Sequence, residues 1–171
     1  MASIEVEVQK KEIVIVWLKR DLRFTDHEPL FYAQKQALPI LLVYCFEPTI
    51  MKYDDSDVRH WRFVYQSLTD MQIKLESLDS KIAIFHNEAQ FVLSEIANHY
   101  AIKTLFSHQE IGNKISYDRD VLMHSFFKSN AIALLKSFRA FLYNSKKVKA
   151  APWKKKQRNH ATISVKTLSL T

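Results

Sequence analysis

The sequence predicts a doubly wound α/β domain, and three observations carry that expectation. Ile13, Val14, Ile15, Val16 and Trp17 form an unbroken β-branched and aromatic run, the composition of a strand buried on both faces. A second such run, residues 39–44, follows after one helix-length segment, and two all-apolar strands joined by a helix make a parallel βαβ unit with a right-handed crossover. Strand-like and helix-like patterns then keep alternating to about residue 135. The expected architecture is Rossmann-like, with about five parallel strands and helices on both faces.

Each element has its own signal. The first strand ends near Trp17. Asp26 reads as an N-cap, and Pro29 suits a first helical turn, where an N–H lacks a partner anyway. That helix is expected to reach Ala37. The second strand ends at Cys45-Phe46-Glu47-Pro48, and a polar connection over residues 52–57 leads to the longest helix, residues 58–78. Its apolar residues Trp61, Val64, Tyr65, Leu68, Met71, Leu75 and Leu78 fall at three-and-four spacing, the mark of one sheet-facing stripe. Further strands are expected at 82–85 and 102–106, helices at 88–100 and 115–128, and a fifth strand at 131–135.

Composition excludes whole classes of function. The chain holds a single glycine, Gly112, against an average usage of about 7%. Glycine-rich phosphate loops need several, so that backbone can approach phosphate. Cys45 is the only cysteine, which rules out an intrachain disulfide. No apolar run approaches membrane-spanning length, and no signal-peptide core is visible, so a cytoplasmic protein without a membrane partner is expected. The seven histidines show no Glu-linked i, i+4 pair of the zinc-hydrolase kind, and no metal is expected. Charge is unevenly spread. Residues 1–120 carry 14 Lys/Arg against 18 Asp/Glu, whereas residues 121–171 carry 11 Lys/Arg and no carboxylate. Beyond residue 138 no period of 2 or 3.6 survives. The division expected is therefore an α/β domain over 1–138 and a basic, irregular tail over 139–171.

Chemistry gathers at the predicted strand exits, where open α/β sheets bind ligands. The first supplies Arg20, Asp21 and Arg23, the second Phe46, Glu47 and Pro48, and the fourth His108, Gln109, Glu110, Gly112 and Asn113. Together they would line one crevice with donors, acceptors and an aromatic wall, which suits a planar heteroaromatic ligand better than a polyphosphate. The competing reading is structural: Arg20–Asp21 and Arg119–Asp118 as ion pairs that tie loops. His108 is expected to be a buried, hydrogen-bonded side chain and Cys45 a packed thiol. Trp17 and Trp61 are expected to face the core.

Four segments also carry a resemblance. VWLKRDLRFTDHEPL, VYCFEPTIM, DVRHWRFVYQSLTDMQIKL and LFSHQEIGNKISYDRD resemble, in order and at fitting intervals, the N-terminal domain of the DNA photolyase/cryptochrome family. Asp26-His27-Glu28-Pro29-Leu30 stands where the family has an Asp-Asn-Pro-type helix start, with one more residue and no Asn. The resemblance covers residues 13 to about 128. It implies a light-driven flavoprotein, acting on damaged DNA, whose N-terminal domain holds an antenna chromophore of folate, deazaflavin or lumazine type. By that resemblance the lining positions are Arg20, Phe46, Glu47, Ile50, Glu110 and Asn113. FAD, the electron-relay tryptophans and the lesion pocket belong, in full-length relatives, to a helical domain about twice as long as this chain. No catalytic residue is therefore expected here, and a truncated or frame-shifted product is. Two other readings stay open: a nucleic-acid-binding module working through the basic tail, and a small nucleotide-binding α/β protein of another lineage.

Overall fold

The computed structural model describes residues 10–110 and 112–137, the last three of them by backbone alone. Five strands run in chain order: β1 (Lys11–Leu18), β2 (Ile40–Cys45), β3 (Ile82–Phe85), β4 (Tyr100–His108) and β5 (Ala133–Ser137). They form one all-parallel sheet in the order β3-β2-β1-β4-β5. Five helices connect them: α1 (Glu28–Gln34), the short α2 (Pro48–Met51), α3 (Val58–Glu76), α4 (Ala89–His99) and α5 (Lys114–Ser129). The predicted basic tail, residues 139–171, lies outside the described residues.

The side-chain period of a strand builds two cores from one sheet. Ile13, Ile15 and Trp17 of β1 join the cluster that contains Val92, Leu93 and Ile96 of α4 and Met123 and Phe127 of α5. The intervening Val14, Val16 and Leu18 join Leu30 and Ala33 of α1 and Val64, Leu68, Met71 and Leu75 of α3 on the other face. Helices thus cover both faces, as all-parallel sheets require. The sheet grows outward from β1 in both directions. Strand order reverses between β1 and β4, so the topological switch point lies there.

Several expectations change at the element ends. His27, not Asp26, caps α1, and Asp26 instead turns the chain with φ 54°. The helix stops at Gln34, because Ala37 also adopts a left-handed conformation. Tyr65 and Leu78 drop out of the sheet-facing stripe of α3 and are exposed, because that stripe narrows to Val64, Leu68, Met71 and Leu75. The short helix α2 follows β2 directly, an element that the sequence pattern did not suggest. Both α3 and α5 close with the i to i−5 hydrogen bond of a Schellman motif, Ser80 N–H to Leu75 O and Ile132 N–H to Phe127 O. The left-handed position in those motifs falls to Asp79 and Ala131, since the chain has no glycine to place there.

Candidate functional site

The crevice at the carboxyl edge is built by four short segments. The β1 exit contributes Lys19 and Arg20, the β2 exit Glu47 and Ile50, the β4 exit Glu110, and the first turns of α5 Ser116 and Arg119. His60, Trp61 and Phe63 of α3 form an aromatic rim opposite the charged side. The crevice holds about 120 Å³ and opens to solvent.

Three cations and three carboxylates interlock on the polar side. Arg20 Nε lies 2.7 Å from Glu110 Oε1, Lys19 Nζ 2.9 Å from Asp120, and Arg119 2.5 Å from Glu47 Oε1. Arg119 also reaches Asp120 at 3.0 Å and Glu110 at 3.5 Å, so it ties three carboxylates together. Lys19 and Arg119 both lie over the Trp17 ring, 4.3 Å and 4.8 Å from its centre. Burial pushes the Lys19 pKa down against the pull of Asp120, and burial pushes Glu47 up against the pull of Arg119. Burial also works against the charge of Arg119, yet its three carboxylates outweigh it and raise that pKa.

Behind the crevice, Asp21 organises a second cluster. Its Oδ1 accepts from Lys19 N at 2.9 Å, while Oδ2 lies 2.6 Å from His27 Nε2 and 3.5 Å from His108 Nε2. Burial raises the Asp21 pKa, but the two histidines and the Lys19 N–H outweigh it and hold the carboxyl below its ordinary range. The two histidines and Asp21 bring metal-ligating atoms within 4.8 Å of one another, a convergence that sequence spacing did not reveal. His27 does not suit a metal, however. Its Nδ1 accepts the Leu30 N–H that caps α1, which places the ring proton on Nε2, the atom that faces Asp21.

The predicted positions divide. Arg20, Glu47, Ile50 and Glu110 line one crevice. Phe46 turns into the α3-side core instead, packed on Tyr44 and Trp61 at ring separations of 5.0 Å and 6.1 Å. Asn113 caps α5 by accepting from Ser116 N, and Arg23 binds the carbonyls of Thr25 and Asp26 to hold the β1–α1 loop. Neither suggested loop-tying pair forms: Arg20 pairs with Glu110, Arg119 with Glu47, Glu110 and Asp120, and Asp118 with Lys114. Asp120 is the site residue that sequence reasoning passed over, and Arg119 was read there only as a partner of Asp118. The one signal for them was a carboxylate and a guanidinium side by side on a helix of otherwise weak apolar pattern.

A five-stranded parallel sheet with helices on both faces and a polar crevice at its carboxyl edge is a domain of the doubly wound α/β class. The chain belongs to the DNA photolyase family, whose sequence model matches residues 14–161, and the fold is that of the family's N-terminal domain. Cryptochrome DASH from Synechocystis sp. is 32% identical over 103 residues, a stretch that covers 57% of this chain and 21% of that protein. The crystal structure of a Synechocystis cryptochrome superposes with a TM-score of 0.65 at 26% identity, covering 75% of this chain and 27% of the other. An archaeal photolyase from Sulfolobus tokodaii, solved with two FAD molecules, shares the fold with a TM-score of 0.64 at 21% identity over 72% of this chain and 28% of the other. The chain thus spans about a fifth to just over a quarter of the length of these relatives. No helix among the described residues is long and apolar enough to cross a membrane.

Proposed function

We propose that the crevice between the β1 and β4 exits binds a planar, light-absorbing heteroaromatic cofactor, and that the chain acts as the antenna domain of a photolyase- or cryptochrome-type protein. The folate, deazaflavin and lumazine classes all fit this reading. The observation that carries it is the meeting of Arg20, Glu47, Ile50 and Glu110 from three separate strand exits on one crevice with an aromatic rim. Glu47 and Glu110 offer acceptors to ring N–H groups, while Trp61 and Phe63 offer faces for stacking. In this reading the catalytic flavin, the damaged DNA and the electron relay belong to a helical partner domain. The chain itself collects light and hands excitation on.

The test is an absorption and fluorescence titration of the purified 171-residue chain with a folate, a deazaflavin and a lumazine. A saturable shift of the pigment band with at least one of them is expected, and Arg20→Ala should weaken it. Unchanged spectra with all three pigments would sink the proposal. The carboxylate-free stretch 121–171 supports a second reading, non-specific DNA binding that weakens steeply with salt. Equal DNA retention after removal of residues 139–171 would exclude it.

A further inference from the structure

Resting on the pigment-site reading, we infer that the crevice selects phosphate-free pigments over flavin nucleotides, because each cation that lines it already contacts a carboxylate of the protein and each helix start at this edge has a first-turn N–H already bonded. Phosphate sites in α/β domains draw on helix N-termini, glycine-rich turns and unpaired cations.

The helix N-termini at the carboxyl edge come first. At α1, His27 Nδ1 accepts from Leu30 N at 3.1 Å, and at α3 Asp57 Oδ1 accepts from Arg59 N at 2.7 Å. At α4, Glu47 Oε2 accepts from Ala89 N at 3.4 Å, and at α5 Asn113 Oδ1 accepts from Ser116 N at 3.3 Å. The short α2 opens on Pro48, which has no N–H, and its Thr49 N–H donates to Glu88 at 2.9 Å. One first-turn N–H at each of these helix starts is thus already bonded within the protein.

The turns give no better access. Residues 19–27 after β1 contain no glycine, so side chains keep a pyrophosphate away from the backbone. Gly112, after β4, is closed as well. A Cβ there would lie 2.7 Å from Arg20 Nη2 and 2.7 Å from Ser116 Oγ, so these two side chains occupy the space beside it.

The cations complete the case. Lys19 and Arg119, both largely buried, contact Asp120 and Glu47, Arg20 contacts Glu110 through Nε while its side chain stays 60% exposed, and the six formal charges cancel. A phosphate dianion would meet those same carboxylates, whereas the N–H groups of a pterin, lumazine or flavin ring would find them as acceptors.

Riboflavin and FMN separate the two effects cleanly, because they share the isoalloxazine ring and differ by one phosphate, and FAD adds a second phosphate together with adenosine. The purified chain is titrated with these three and with ribityllumazine, following fluorescence quenching. Riboflavin or ribityllumazine is expected to bind at least about tenfold more tightly than FMN or FAD. Glu110→Gln, which releases Arg20 from its partner, is expected to narrow that ratio several-fold. FMN or FAD binding as tightly as riboflavin would overturn the inference and leave the pigment site standing. Binding of none of the four ring compounds would remove the pigment site and the inference with it. An unchanged ratio in a folded Glu110→Gln variant would show that paired carboxylates do not set the selectivity.

Discussion

Arg119 and Glu47 stand 72 residues apart in the chain and 2.5 Å apart in the structure. The contact joins the β2 exit to the first turns of α5 across the switch point, and both side chains are largely buried. Replacing Arg119 by Met would leave the carboxylates of Glu47, Glu110 and Asp120 with Lys19 and Arg20 as the remaining cations of the cluster. A loss of about 3–5 kcal/mol is expected from the urea midpoint at neutral pH, the cost of orphaning a buried charge. The double variant Arg119→Met, Glu47→Gln should be more stable than the sum of the two single losses. Strict additivity would show that the contact carries no coupling energy.

Asp21 sets the acid limb of stability. Its carboxyl is held below its ordinary range in the folded chain, so its stabilisation is complete above the unfolded value of about 3.9 and drains away as pH falls through the folded one. Urea midpoints between about pH 5 and pH 2 should therefore fall less steeply in Asp21→Asn than in the parent. Parallel slopes would remove Asp21 as the source.

His27 serves two ends at once, capping α1 through Nδ1 and facing Asp21 through Nε2. His27→Asn keeps a side-chain cap and loses the Asp21 contact, whereas His27→Ala loses both. The difference between the two variants should be about 1 kcal/mol, the usual worth of an N-cap. Equal stabilities would mean that the Leu30 N–H gains nothing from the imidazole.

Much of the fold was legible because β1 and β2 are apolar on both sides, which only a sheet covered on both faces tolerates. Helix ends were less so. The left-handed turns at Asp26 and Ala37 use residues that do not announce that conformation, and they shift or shorten α1. The crevice was half legible. Arg20, Glu47 and Glu110 stood directly at strand exits, where topology alone brings them together. Arg119 and Asp120 lie inside α5, and nothing local says which way a helix of mixed pattern turns them. Phe46 misled because strand alternation hands it to the α3-side core with Tyr44 and Trp61.

The shortage of glycine has a measurable cost at the helix ends. Ala131 follows α5 with φ 53°, where a Cβ is strained by about 1–2 kcal/mol and glycine is not. Ala131→Gly should therefore stabilise the chain by about 1 kcal/mol once the extra freedom of glycine in the unfolded state is deducted. Thermal unfolding checks this, and a lower Tm in the variant would refute it.

Cys45 should be inert. Burial pushes its thiol up to about 12, and Glu47 adds to the effect. A disulfide reagent at pH 8 should label it only at the rate at which the chain opens, and labelling should jump in denaturing urea. Immediate stoichiometric labelling of the native chain would contradict its packed position.

Lys19 leaves the translation machinery 101 residues ahead of Asp120, and β1 must likewise wait for β4. Until α5 emerges, the nascent polypeptide carries an ammonium whose intended burial place does not yet exist. Its first four strands and helices therefore cannot settle into their final arrangement one after another during synthesis. Consolidation is expected as a single late event, and chains stalled with α5 still inside the ribosome should remain open to protease while those in which α5 has emerged become resistant.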